Sequence, residues 1–143
     1  MKIRAAVLES TGGSHHIQEL DLAPPGPNEV LVRLHASGVC HSDFNAIDGT
    51  AETRCPAVLG HEGGGVVEAV GPGTSRVVVG DHVALSWTPS CGACGECLRD
   101  LPQHCATAWP AMGTGGLMDG TPRLSRDGEP VYHYSFQIGR AHV

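Results

Sequence analysis

The clearest hydrophobic alternation runs from Glu29 to Val39, where Val30, Val32, Leu34 and Ala36 fall on one face of a half-buried strand. Lys2 to Glu9 reads as another strand, followed by a glycine-rich turn at Thr11 to Ser14. Ile17 to Leu22 predicts a third, stopped by the breaker Pro24-Pro25-Gly26-Pro27. Val66 to Val70 and His82 to Leu85 extend the pattern, with Gly71-Pro72-Gly73 and Gly80-Asp81 as turns between them. Helical periodicity is scarce. Only Ser42 to Ile47 predicts a short helix, with Ser42 or Asp43 able to cap it. Twenty glycines and ten prolines supply the many turns this pattern needs. The expected fold is mainly β with short helices and long loops.

A chain of 143 residues is one domain, long enough to bury a core without help from a metal or a disulfide. Its net charge of −6, with only nine Lys plus Arg, argues against a nucleic-acid or anionic-membrane surface. No apolar run is long enough to span a bilayer, and Met1-Lys2-Ile3-Arg4-Ala5 lacks the apolar stretch of a signal peptide. A soluble cytoplasmic protein is expected.

The cysteines change the picture. Cys91, Cys94, Cys97 and Cys105 form a Cys-x-x-Cys-x-x-Cys-x7-Cys run within one loop. Four crowded thiolates repel unless a divalent cation sits among them, and soft ligands in a closed shell suit a structural zinc. A thioredoxin-like pair would leave Cys97 and Cys105 unexplained, and two disulfides would need an oxidising compartment. A second constellation lies upstream. Cys40 ends the strand over Glu29 to Val39 and His61 opens the one that continues through Val66, so two ligands at strand ends can share a cleft with coordination positions left open. Cys55, beside Pro56, fits no metal pattern and reads as an ordinary thiol. His15, His16 and His104 read as solvent-facing loop residues, Glu9, Glu19, Asp21 and Glu29 as solvated, and Asp81 as turn chemistry.

Taken together, Gly38-Val39-Cys40-His41-Ser42-Asp43, Leu59-Gly60-His61-Glu62-Gly63, Gly80-Asp81-His82-Val83 and the four-cysteine run resemble the zinc-containing medium-chain alcohol dehydrogenases. Residues 1–136 are covered by the resemblance. The stretches Gly116 to Arg123 and Pro130 to Tyr134 look closest to the branch of animal-type and glutathione-dependent formaldehyde dehydrogenases. The resemblance implies a GroES-like, partly open β-barrel carrying a four-cysteine zinc lobe. It implies Cys40 and His61 as ligands of a catalytic zinc, with Glu62 a carboxylate able to approach it. Asp43 then orients His61, Ser42 takes the substrate proton, His41 touches the cofactor pyrophosphate, and Trp87 walls the substrate pocket. The implied reaction is alcohol oxidation to an aldehyde or ketone, through a zinc alkoxide and hydride transfer to NAD(P). Small-molecule alcohols and a homo-oligomeric parent enzyme are implied by the same resemblance.

Two departures stand out. Asn45 occupies the place of a relay histidine, and an amide is no base near neutral pH. Cys105-Ala106-Thr107-Ala108-Trp109-Pro110 lacks the arginine with which relatives grip a glutathione carboxylate, so a general alcohol is the expected substrate. No Gly-x-Gly-x-x-Gly fingerprint with a strand-to-helix setting is present, nor the third cysteine ligand that relatives carry further on. The expectation is an inactive N-terminal fragment of a longer enzyme; a stand-alone zinc-binding structural or interaction module is the alternative. Residues 137–143 match a translated sequencing adapter and are expected to be a non-native tail.

Overall fold

A computed structural model of the chain describes residues 1–134 and the short strand Ala141–His142. Apart from that strand, the expected non-native tail falls outside the described residues. The strands are β1 (Lys2–Leu8), β2 (His15–Leu22), β3 (Val30–Ser37), β4 (Ala57–Val58), β5 (Gly63–Val70), β6 (His82–Ala84), β7 (Leu124–Arg126), β8 (Glu129–His133) and β9 (Ala141–His142). Helix α1 (His41–Asp48) comes after β3, while α2 (Gly95–Leu98) and α3 (Ala108–Met112) lie in the long segment between β6 and β7.

Strand pairings β1–β2, β2–β7, β7–β8, β8–β4 and β4–β1 run in a ring, held at β4 by only two residues. That partly closed barrel surrounds a core of Ile3, Ala5, Val7, Leu20, Leu22, Val58, Leu124 and Val131. Alternation explains it: Ile3, Ala5 and Val7 point inward from β1 while Lys2 and Arg4 face solvent. A second sheet, β3-β5-β6, is antiparallel throughout.

Several expectations are revised. The strand foreseen over Glu29 to Val39 ends at Ser37, and of its four apolar positions only Leu34 is buried. The pairing with β5 is also irregular: Glu68 is the extra residue on β5 between Leu31 and Val32, and His35 is the extra residue on β3 between Leu34 and Ala36, which breaks the alternation of β3 there. His15 and His16 open β2 instead of lying in a loop. Glu29 is held by Arg123, Glu9 by Arg126 and Asp21 by Lys2, so these carboxylates are paired across the fold. Glu19 also lies near Lys2. Asp81 does act as turn chemistry, accepting from the Val78 N–H at 2.9 Å.

Helix α1 is capped differently from expectation. Cys40 is the N-cap, and Asp43 reaches back from the third position to accept its backbone N–H at 3.1 Å. Ala46 seats the helix against Leu8, Ala57 and Leu59. Gly49, at φ 88°, ends it in the left-handed conformation that favours glycine.

Candidate metal centres

The lobe closes around its sulfurs. Cys94 and Cys97 Sγ are 3.5 Å apart, Cys94 and Cys105 3.9 Å, and Cys91 and Cys97 4.0 Å. All four sulfurs lie within 4.8 Å of one another. A disulfide needs about 2.05 Å, whereas four thiolates on a tetrahedral zinc stand roughly 3.8 Å apart for a Zn–S distance near 2.3 Å. The donor set and the spacing both fit zinc. Local structure produces the arrangement: Cys94 caps α2, Cys97 lies one turn on, and Cys105 is buried beside Ala108 and Ala111 of α3.

Hydrogen bonds prepare the thiolates. The Thr107 hydroxyl, then the Ala93 and Cys94 amides, pull the Cys91 thiol down to about 6, and backbone N–H groups lower Cys94 as well. Burial and the neighbouring sulfurs push Cys97 up to about 11. A cation at the centre would reverse that last effect, since it favours thiolate throughout.

The second centre arises from strand register. Ser37 of β3 stands opposite Gly63 of β5, so the residues just beyond β3 and just before β5 are neighbours. Gly38 N–H accordingly bonds Glu62 carbonyl at 3.2 Å. Donor atoms of Cys40, His61 and Glu62 lie within 4.8 Å of one another. His61 precedes β5 by two residues instead of opening it. Gly38 keeps the site open: a Cβ there would fall 1.9 Å from Glu62 Oε2.

Asp43 links helix and site. It is 1% exposed; one carboxylate oxygen holds the Cys40 amide while the other faces His61 Nδ1 at 3.4 Å. The carboxylate thereby favours a proton on Nδ1 and leaves Nε2 toward the other donors. The Ser42 hydroxyl lies 3.1 Å from Cys40 Sγ and 3.3 Å from His61 Nε2. Cys, His and carboxylate form a donor set that suits zinc with a position left for another ligand.

Tyr134 is the site residue to which the sequence motifs gave no role. Its hydroxyl donates to the Ser42 carbonyl at 2.9 Å, and its ring packs 6.0 Å from that of His61. Burial, then the charges of Asp43 and Cys40, raise its pKa. His41 is the exposed first residue of α1, its ring 6.0 Å from that of Phe44. Trp87 lies beyond β6, half exposed, and meets Trp109 edge to face. Cys55 joins neither cluster and packs beside Leu8 and Ala57, its thiol pKa raised by burial. A trough of about 950 Å³, lined in part by Leu22, Val32, Thr107 and Arg123, does not include the Cys40–His61–Glu62 donors. The chemistry is placed by the donor geometry, not by that cavity.

A partly closed β-barrel with a closed four-sulfur lobe and an open Cys–His–Glu donor set defines a β-domain with two candidate metal sites. The chain belongs to the alcohol dehydrogenase GroES-like domain family, whose model matches residues 26–123. It is 44% identical over 135 residues to an S-(hydroxymethyl)glutathione dehydrogenase from Escherichia coli, covering 94% of this chain and 37% of that protein. Among solved structures it is similar to an alcohol dehydrogenase zinc-binding domain protein from Burkholderia ambifaria, at 37% identity and TM-score 0.89. A benzyl alcohol dehydrogenase from Acinetobacter calcoaceticus matches at 34% identity and TM-score 0.85. Each structural match covers 99% of this chain and 38% of the other. The chain thus spans somewhat over a third of its relatives' length. Among the described residues, no helix is long and apolar enough to cross a membrane.

Proposed function

We propose that this chain forms the zinc-binding part of an alcohol dehydrogenase that oxidises alcohols to aldehydes or ketones with NAD or NADP. The observation that carries this reading is the meeting of Cys40, His61 and Glu62, with the Ser42 hydroxyl touching two of them. A purely structural zinc module would need only the lobe. Zinc held by Cys40, His61 and Glu62 supplies a Lewis acid that makes a substrate hydroxyl more acidic. The protein's own groups do the rest. Asp43 fixes the His61 tautomer; Ser42 accepts the substrate proton and passes it outward; Tyr134 pins the Ser42 backbone. Asn45, on the same helix, is no base, so the proton passes to water or to a group other than Asn45.

His41, at the exposed start of α1, is suited to a cofactor phosphate, where the helix dipole adds to its attraction. Trp87 forms a wall of the substrate pocket. The lobe zinc has a closed shell and serves structure alone.

Cobalt titration of the chain tests this reading. Two phases are expected: a tight tetrathiolate phase, and a weaker one that Cys40→Ser abolishes and Cys97→Ser leaves in place. A single phase, unaffected by Cys40→Ser, would remove the proposed reactive site. Loss of the tight phase in Cys40→Ser would instead show that the two centres are misassigned.

A further inference from the structure

The four lobe sulfurs do not meet solvent equally. Cys105 is buried, Cys94 and Cys97 are half-buried, and Cys91 is the most exposed of the set. Their contacts follow the same order. Cys94–Cys97 at 3.5 Å and Cys94–Cys105 at 3.9 Å are partly buried, whereas Cys91–Cys97 at 4.0 Å forms an exposed edge of the cluster. The chain around Cys91 is open as well. Cys91 lies outside any strand or helix, and a Cβ on neighbouring Gly92 would meet nothing within 4 Å. A tetrahedral shell closes around the metal but leaves the lone pairs of an outward sulfur within reach of solvent.

Three donors accommodate negative charge on Cys91 Sγ. The Thr107 hydroxyl and the Ala93 N–H approach it at 3.5 Å, and the Cys94 N–H at 3.3 Å. Its own backbone N–H points elsewhere in the cluster, donating to Cys105 Sγ at 3.3 Å. Cys91 therefore combines thiolate character, which reaction with an oxidant requires, with exposure and a second sulfur close behind it. Cys40, at the other centre, has no second sulfur in its donor set.

We propose that Cys91 is an oxidation site for small hydroperoxides, and that the Cys91–Cys97 disulfide formed there releases the lobe metal. The inference rests on the tetrathiolate zinc reading of the lobe and is independent of the dehydrogenase reading. The Cys91 thiolate attacks a peroxide oxygen: an S–O bond forms, the O–O bond breaks, and hydroxide leaves. The Cys97 thiolate then attacks the sulfenic sulfur; the S–S bond forms, the S–O bond breaks, and a second hydroxide leaves. Two thiolates have given up two electrons, and hydrogen peroxide with two solvent protons has become two waters. Cys94 and Cys105 alone cannot close a four-coordinate shell, so the lobe lets its zinc go. A dithiol reductant is oxidised in turn and restores both thiolates.

The Cys40→Ser protein, which keeps the lobe ligands intact, is loaded with zinc and treated with hydrogen peroxide. Zinc release is followed with a chromogenic chelator, and cysteine pairing by peptide mapping after the remaining thiols are alkylated. Release is expected to keep pace with a single Cys91–Cys97 disulfide and to reverse with dithiothreitol and added zinc. Thr107→Val keeps all four ligands and removes one donor from Cys91 Sγ. One such bond is worth about tenfold in proton affinity, and a Brønsted slope of about 0.4–0.5 turns that into about threefold in rate. A hydrogen bond withdraws charge from a zinc-bound sulfur, so this variant should lose zinc about threefold faster, with its zinc content before oxidation confirming that the lobe folds. A first disulfide between Cys94 and Cys97, or between Cys94 and Cys105, would overturn the assignment. So would zinc loss that runs ahead of Cys91 oxidation, or a Thr107→Val rate equal to or below that of its parent.

Discussion

Protonation of His133 should set the first acid weakness of this fold. His133 lies at the end of β8 and is 3% exposed; its Nε2 accepts the Arg123 backbone N–H at 3.1 Å. That bond puts the ring proton on Nδ1, which finds no partner. Burial first, and then the nearby Arg123 guanidinium against an opposing pull from Glu29, bring its pKa down from 6.5 to about 4. Neutral in the fold and free to protonate when unfolded, His133 contributes stability above pH 6.5 that is lost as pH falls toward 4. Between neutrality and about pH 4.5 the loss comes to about 2.5 kcal/mol. Glu9 and Asp119, held to about 2 by Arg126 and Arg123, yield their share only below the ordinary carboxylate range.

The assay is urea unfolding across that interval, comparing the parent with His133→Leu. The variant loses an acceptor for the Arg123 amide, costing about 1–3 kcal/mol at every pH, but its stability should fall less steeply with acid. Metal release contributes equally to both proteins and cancels in the difference. Parallel slopes for the two proteins would refute the assignment.

Gly38→Ala should displace the Glu62 carboxylate, because the new Cβ overlaps Oε2. A flexible side chain can move aside cheaply, so unfolding should shift by less than about 1 kcal/mol while chelator competition shows weaker metal binding at Cys40 and His61. Unchanged binding would mean that Glu62 is not a donor. Asp43→Asn removes the charge that orients His61 and should weaken the same site about 10- to 100-fold; wild-type affinity in that variant would refute the orienting role. Stripping the lobe metal, or Cys105→Ser, should increase amide exchange in α2 and α3 and leave the barrel strands protected, since the barrel core is separate from the lobe cluster. Equal loss of protection in both regions would show one cooperative unit.

Much of the architecture could be read from short-range patterns. The strands β1, β2, β5 and β6 and the helix α1 overlap the segments that alternation and local helix signals indicate, although Cys40 and not Ser42 or Asp43 caps the helix, because those signals are local. Asp127-Gly128 is a hairpin signal of the same local kind, though alternation alone does not reveal it. Both residues take positive φ, at 53° and 86°, and join Arg126 to Glu129 across a two-residue turn. Strand β4 carried no usable signal, since two residues show no period. The register shifts between β3 and β5 were equally silent, because the pairing of the two strands decides them.

The same division holds for the sites. The cysteine spacing alone indicated the lobe, because all four ligands sit within fifteen residues and local turns suffice to gather them. Cys40, His61 and Glu62 were named by their motifs, but the antiparallel register of β3 and β5 is what brings them together. Tyr134 behind Ser42, the buried His133, and the Trp87–Trp109 pair were decided by the tertiary structure. Their partners lie on different elements, and only the closing of the barrel and the docking of the lobe set which side chains meet. Sequence determines chemistry where the chain itself spans the distance; beyond one turn or one hairpin, packing does.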